Sequence, residues 1–245
     1  MLDILNHGLF YVKFQPGATG APLWSLFAVA IVAYLLGSIN SAVIVSRLLY
    51  RTDIRTEGSK NAGLTNMFRV FGKRAALLTL FGDILKTAVA ILLTAVFFGF
   101  WYSHGLSVNY FCYLAGIFCV IGHIKPIYYG FRGGKGVLCS AAAILILAPI
   151  AFAILFLVFV LVVWVSRYIS LGSIVSAGLL PLLLQAYMQI VMGDETYNPM
   201  IVLLSFVFAI IVIVCHRQNI GRLWRHEENK FSFHRQKDKG EDEEK

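Results

Sequence analysis

The sequence predicts an all-α, polytopic membrane helix bundle with about seven transmembrane helices, its N-terminus outside and its C-terminus cytoplasmic. Three observations carry this reading. Apolar runs long enough to cross a bilayer follow one another along nearly the whole chain. Charged residues make up only 14% of it, against about a quarter in an ordinary soluble domain. The cations are also distributed asymmetrically: with seven spans, all of the 21 Lys and Arg except Lys13 and Lys86 fall on the cytoplasmic side.

The runs are Leu23–Leu49, Ala75–Tyr102, Ser107–Ile124, Val137–Ser166, Ile169–Met192 and Met200–Cys215. A span needs about 20 residues to cross a ~30 Å hydrocarbon core. The fourth run would measure ~45 Å as one straight helix. Pro149 lies near its middle, so the run splits into two short spans turning at Ala148–Pro149. Loop charge tests the split. The segment 50–74 carries Arg51, Arg55, Lys60, Arg69, Lys73 and Arg74, and the segment 125–136 carries Lys125, Arg132 and Lys135. Arg167 stands between spans five and six, and the segments 103–106 and 193–199 contain no Lys or Arg. Six spans would move Arg167 or the first basic loop to the wrong side. The N-terminal MLDILNHGLFYVKF lacks the basic region of a signal peptide. Residues 1–230 read as one membrane domain, and 231–245 as a charged, disordered, solvated tail.

The net charge of +8 is explained by loops facing an anionic leaflet, and nucleic-acid binding is not expected. Cys112, Cys119, Cys139 and Cys215 lie in or beside apolar runs without a C-x-x-C pair, and read as small core hydrophobes. No metal and no cofactor is expected. H-E-x-x-H, the H-x4-D spacing and a multi-Asp pattern are all missing, and no Walker A sequence can be aligned.

Three basic stretches are richer in Gly, Ser and Asn than connectors require. The first, EGSKNAGLTNMFR (57–69), combines Ser59, Asn61, Asn66 and Arg69 with turn-forming glycines; it is either an anion-binding loop or a hydrophilic loop with helix-capping residues. The second, GHIKPIYYGFRGGKG (122–136), places Gly133, Gly134 and Gly136 around Lys135 immediately before a span. A Gly-rich turn feeding a helix N-terminus is a natural phosphate cradle, and its bland counterpart is a flexible turn. The third, HRQNIGRLWRHEE (216–228), follows the last span. Snorkelling explains its arginines and Trp224 well, but explains His216 and Asn219 poorly. Asp83 and Lys86, at i,i+3 inside the second span, read as a structural ion pair in preference to direct chemistry. Ser170 and Ser173 start span six, where they cap the helix, bind substrate, or do both.

Taken in order, YLLGSINSA, EGSKNAGLTNMFRVFGKRAALLTLFGDILK, GHIKPIYYGFRGGKG, SRYISLGSI and HRQNIGRLWRHEE resemble the bacterial acyl-phosphate:glycerol-3-phosphate acyltransferase (PlsY) family over nearly the whole chain. The resemblance implies a membrane enzyme of phospholipid synthesis. It would move a fatty acyl group from a long-chain acyl phosphate to the sn-1 hydroxyl of glycerol 3-phosphate, giving lysophosphatidic acid and inorganic phosphate. It implies catalytic roles for Ser59, Arg69, His216 and Asn219, a glycerol-3-phosphate loop at Gly133, Gly134, Lys135 and Gly136, and a structural Glu at Glu228, with Glu227 adjacent. Asn61, Asn66, Ser170 and Ser173 are the further substrate-binding candidates. Many members have Gly where this chain has His226, and Pro often follows GSI where this chain has Asn40. The expected setting is the bacterial inner membrane with the site facing the cytoplasm, served by an acyl-phosphate-producing enzyme as partner. His216 is a general base or a positioning donor, unless a substrate phosphate takes the proton. Asn219 is a donor to the carbonyl oxygen. The chief alternative is a transporter for a phosphorylated metabolite, although transporters bind near the midplane and these motifs gather at one face.

Overall fold

The computed structural model describes residues 23–101, 108–192 and 199–231. Lys13, the N-terminal segment, most of the two connections without cations and the tail after Phe231 lie outside the described residues. The described residues are mostly helical, and no strand occurs among them. In chain order the helices are α1 (Leu23–Ser38), α2 (Ser41–Tyr50), α3 (Leu64–Phe71), α4 (Lys73–Trp101), α5 (Val108–Ile124), α6 (Val137–Leu147), α7 (Pro149–Ser166), α8 (Ile169–Tyr187), α9 (Pro199–Cys215) and α10 (Arg217–Trp224).

All seven expected apolar segments are helical, but they are not seven full spans. Among the described residues, five helices are long and apolar enough to cross a membrane: Trp24–Tyr50, Lys73–Phe97, Asn109–Tyr129, Pro149–Ser166 and Ile169–Ile190. A sixth, Pro199–Cys215, bends by 57° into Arg217–Trp224. The expected break at Ala148–Pro149 is present. Ala148 leaves helical geometry at φ −147°, ψ 71°, and Pro149 opens α7, where its missing N–H costs nothing. What changes is the status of the N-terminal half. α6 has 11 residues, a rise of ~16 Å, so it reaches only about halfway through the hydrocarbon core.

α1, α4, α5 and α6 pack together as one half of the bundle, and α7, α8 and α9 as the other, with α9 also touching α5. The closest crossing joins α1 to α5. A Cβ on Gly37 would overlap the Cys119 carbonyl, and one on Gly122 would overlap the Tyr34 carbonyl. This reciprocal use of glycine lets two backbones touch, the usual device of helix pairs in lipid. The first span is interrupted at Ile39–Asn40. Asn40 restarts the chain as the N-cap of α2, its Oδ1 accepting from Val43 N at 3.1 Å. The interruption leaves the Ile39 carbonyl without a helical partner, and Lys86 Nζ takes it at 2.9 Å.

Candidate functional site

α9 ends where His216 N is shared between the carbonyls of Val212 and Ile213. The chain bends there, and amphipathic α10 lies across the end of the bundle with Asn219 as its buried residue. His216 is itself buried, with Nδ1 2.8 Å from the Val212 carbonyl. A carbonyl can only accept, so Nδ1 carries the proton and the Nε2 lone pair is the basic position. Burial pushes the His216 pKa below 6.5, with the Lys135 charge acting in the same direction, against opposition from the Val212 bond and Glu228. The ring is therefore neutral at neutral pH.

After Trp224 the chain doubles back through His226, which holds φ 58°. This turn aims Glu228 at the underside of α10. Its Oε1 accepts from Asn219 Nδ2 at 2.6 Å and Ser170 Oγ at 2.8 Å, and its Oε2 from Arg222 Nε at 2.6 Å. Asn219 in turn accepts from Lys135 Nζ at 2.6 Å through Oδ1. One chain of bonds thus joins the Gly-rich loop, α10 and the start of α8. Burial favours the neutral Glu228 carboxyl, but the Asn219, Arg222 and Ser170 bonds and the Arg222 charge outweigh it and hold its pKa below the ordinary value. Burial, with Arg222 and Arg69 nearby, lowers the Lys135 pKa, while Glu228 opposes. Glu227 lies outside this network, in an exposed pair with Arg225. Phe231 N donates to the Arg167 carbonyl at 2.7 Å, fastening the segment after Glu228 to the α7–α8 turn.

The Gly-rich loop differs from the expected cradle. The N–H groups of Gly133 and Gly134 are already taken by the Ile124 and His123 carbonyls, at 3.2 and 3.1 Å. Those glycines serve close packing: a Cβ on Gly133 would overlap the His123 carbonyl, and one on Gly134 the His123 ring. The open donors lie further on, in the first turn of α6. Gly136, at φ 79°, is the N-cap of α6 and offers no side chain to it. The first-turn N–H groups of Val137 and Leu138 therefore remain available beside Lys135, at the positive end of the helix dipole.

The first loop is built from the inside. Asn66 is buried and fully committed, accepting from Ser59 N at 2.9 Å and donating to the carbonyls of Glu57 and Ile54 at 3.0 and 3.3 Å. It shapes the loop that presents Ser59, so its amide is not free for substrate. The Ser59 side chain is exposed, and those of Asn61 and Arg69 are half-buried; Arg69 makes no hydrogen bond or ion pair among the described residues. Arg55 ties this loop to the second, donating to the carbonyls of Tyr129 and Arg132 at 2.6 and 3.3 Å. Its guanidinium also pairs with Asp53 at 2.7 Å and lies 5.8 Å from the Tyr129 ring centre. Those Arg55 bonds, with Arg47 adding to them, hold the Asp53 carboxyl well below the usual range against its partial burial.

Ser170 reaches the network through Glu228, whereas Ser173 bonds the Ile169 carbonyl of its own helix at 3.0 Å and stays apart. Asn219 presents Oδ1 to Lys135 and one Nδ2 proton to Glu228, so it holds Lys135 in place, and its second amide proton has no partner among the described residues. The Asp83–Lys86 pair is present at 2.8 Å, both groups buried. Sequence reasoning missed its third member, His123, whose Nδ1 is 2.9 Å from Lys86 Nζ. It also missed the structural use of Arg222 and Arg55. The remaining signal was faint: His123 is a lone imidazole at the end of an apolar run. Asp83, His123 and Cys139 gather ligand atoms within 4.8 Å, but the Lys86 ammonium stands between the first two and supplies the cation itself. All four cysteines are free.

Residues 27–226 match a family described as glycerol-3-phosphate acyltransferase. A protein so named from Syntrophotalea carbinolica is 40% identical over 207 residues, covering 84% of this chain and 98% of its own. Another from Syntrophomonas wolfei is 40% identical over 205 residues, covering 84% and 96%. Two solved structures of PlsY (YgiH), an integral membrane glycerol 3-phosphate acyltransferase, superpose with a TM-score of 0.70 at 30% and 29% identity, covering 85% of this chain and 96% of theirs. One is the glycerol 3-phosphate form and the other the lysophosphatidic acid form.

Proposed function

Because the chain belongs to the glycerol-3-phosphate acyltransferase family, we propose that it transfers a fatty acyl group from a long-chain acyl phosphate to the sn-1 hydroxyl of glycerol 3-phosphate at the inner face of a bacterial plasma membrane. The observation that carries this reading is the cationic cluster beside the first turn of α6. Lys135 is held by Asn219 at 2.6 Å, Arg222 is neutralised by Glu228, and Arg69 has no partner among the described residues. Two phosphate-bearing substrates need such a surplus of positive charge and N–H donors. Arg69, Lys135 and the open N–H groups of Val137 and Leu138 position the phosphates, and Ser59 stands at the edge on a loop set by Asn66.

An acyl phosphate is a mixed anhydride with a good leaving group. The glycerol hydroxyl oxygen forms a bond to the acyl carbon, the carbon–oxygen bond to phosphate breaks, and the electron pair leaves with inorganic phosphate. The hydroxyl proton passes to His216 Nε2, the basic position fixed by the Val212 bond, or to a substrate phosphate. No acyl-enzyme is required, and alignment of the two substrates supplies much of the rate. Glycerol 3-phosphate is water-soluble while the acyl chain and product prefer lipid, so a site at the end of the bundle serves both. An enzyme that makes acyl phosphates is the expected supplier. The test is to follow phosphate release from palmitoyl phosphate with and without glycerol 3-phosphate and to identify the lipid product. Coupled release with lysophosphatidic acid supports the reading; uncoupled hydrolysis or no turnover by folded protein ends it.

A further inference from the structure

His123 lies inside the bundle, yet it touches three things that bear on the site. Its carbonyl accepts from Gly134 N at 3.1 Å, while the next carbonyl, Ile124, accepts from Gly133 N at 3.2 Å. Its ring nitrogen Nδ1 is 2.9 Å from Lys86 Nζ. An ammonium has no lone pair, so Nδ1 accepts and the ring proton sits on Nε2. The Nε2 edge then abuts Gly134: a Cβ there would overlap Nε2 and come within 2.7 Å of the Ala62 carbonyl of the first loop. Gly134 is thus held between an imidazole anchored in the membrane and the backbone of the loop that presents Ser59. Lys135 is the next residue.

The anchor is firm. Lys86 Nζ is surrounded by Asp83 Oδ1 at 2.8 Å, the Ile39 carbonyl at 2.9 Å and His123 Nδ1. Its stem and head are buried, and breaking such a set leaves a charge without compensation. The ring therefore has one orientation, and the turn that follows has one shape.

We propose that His123 is a positioning residue for glycerol 3-phosphate, passing the fixed geometry of the Asp83–Lys86 pair to the Gly133–Gly134 turn and so setting where Lys135 presents its ammonium. The proposal rests on the acyltransferase reading above and extends it to a residue outside the cationic cluster. Without the ring, the turn gains room beside Gly134, and Lys135 loses its fixed register against α10. A misplacement of about 1 Å at a positioned group can cost about 100-fold in rate.

The experiment is steady-state kinetics with palmitoyl phosphate and glycerol 3-phosphate on purified wild-type protein, His123→Ala, His123→Asn, Gly134→Ala and the double variant His123→Ala/Gly134→Ala. Thermal melting runs alongside to verify folding. His123→Ala is expected to raise the KM for glycerol 3-phosphate about tenfold or more, leaving the KM for palmitoyl phosphate near wild type. His123→Asn, whose Oδ1 can stand where Nδ1 accepts from Lys86 but whose shorter side chain leaves the Nε2 position empty, is expected to recover only part of that loss. A purely structural histidine would change the amount of folded enzyme and leave both KM values alone. The methyl group introduced by Gly134→Ala enters the space the ring vacates, so the penalty of that substitution is expected to be smaller in the His123→Ala background than in wild type; the Ala62 carbonyl keeps the rescue partial. An unmoved KM in folded His123→Ala, or penalties that simply multiply, overturns the proposal. Should His123→Ala not fold, His123→Asn paired with Gly134→Ala decides the same coupling, because the shorter side chain also empties the Nε2 position. A wild-type protein without glycerol-3-phosphate-dependent turnover overturns the acyltransferase reading itself, whereas a normal wild type with uncoupled variants overturns only the role of His123.

Discussion

Most of the chemistry turns on which atoms of a few polar residues remain uncommitted. His216 spends Nδ1 on the Val212 carbonyl, which leaves Nε2 as the ring's one basic position. The sign of its pH dependence follows. Its pKa lies below 6.5, so the basic form persists through neutral pH, and kcat/KM should be flat there and fall only as pH drops through that lower value. A pH profile checks this, and His216→Gln should remove the acid limb and cost about 100- to 10,000-fold in kcat. Near-normal turnover in His216→Gln assigns the proton to a substrate phosphate instead. His226 carries a different cost. It holds φ 58°, a conformation that burdens any side chain with a Cβ by about 1–2 kcal/mol. Some of that gain is returned through the freer unfolded chain, so His226→Gly should stabilise the protein by up to about 1 kcal/mol. A higher melting temperature checks it, and a lower one contradicts it. The same turn explains what sequence left open between neighbouring glutamates. Which one faces Asn219 depends on a single backbone angle two residues upstream, and spacing alone does not encode that angle.

The helices themselves were legible because their causes are local. Apolar runs and Pro149 placed the spans and the break in the fourth, and the i,i+3 spacing of Asp83 and Lys86 announced their pairing. What escaped was non-local. Lys86 meets a histidine 37 residues away, and the glycines before α6 are consumed by packing on that histidine. The α6 segment also reads as a span from composition, although a helix of 11 residues cannot cross. Its shortness lets the N-terminus bring open N–H groups to Lys135 while Ala148 begins the turn into α7. The α1–α5 crossing was equally hidden, because Gly37 and Gly122 look like ordinary span glycines until the backbones are seen to touch. Gly122→Ala should force those helices apart and cost about 1–3 kcal/mol, as overpacking usually does. Melting in detergent checks this, and an unchanged transition would show that the crossing tolerates a methyl group.

Over the whole molecule, two loops and one amphipathic helix from distant parts of the sequence meet at one end of the bundle. Arg55 joins the first loop to the second, Asn219 joins the second to α10, and Glu228 joins α10 to α8. The five ordered motifs could be read along the chain, but the bonds that make them one site could not. Lys135 is their meeting point, so the most direct measurement is phosphate release from palmitoyl phosphate by purified wild-type protein and Lys135→Ala, with and without glycerol 3-phosphate. Wild-type release should depend on glycerol 3-phosphate and match lysophosphatidic acid mole for mole. Lys135→Ala should lose about 10- to 100-fold in kcat/KM for glycerol 3-phosphate, the scale of a lost charged hydrogen bond. Release by folded wild-type protein that ignores glycerol 3-phosphate, or a Lys135→Ala enzyme that keeps full efficiency, would contradict an acyltransferase site built around this cluster.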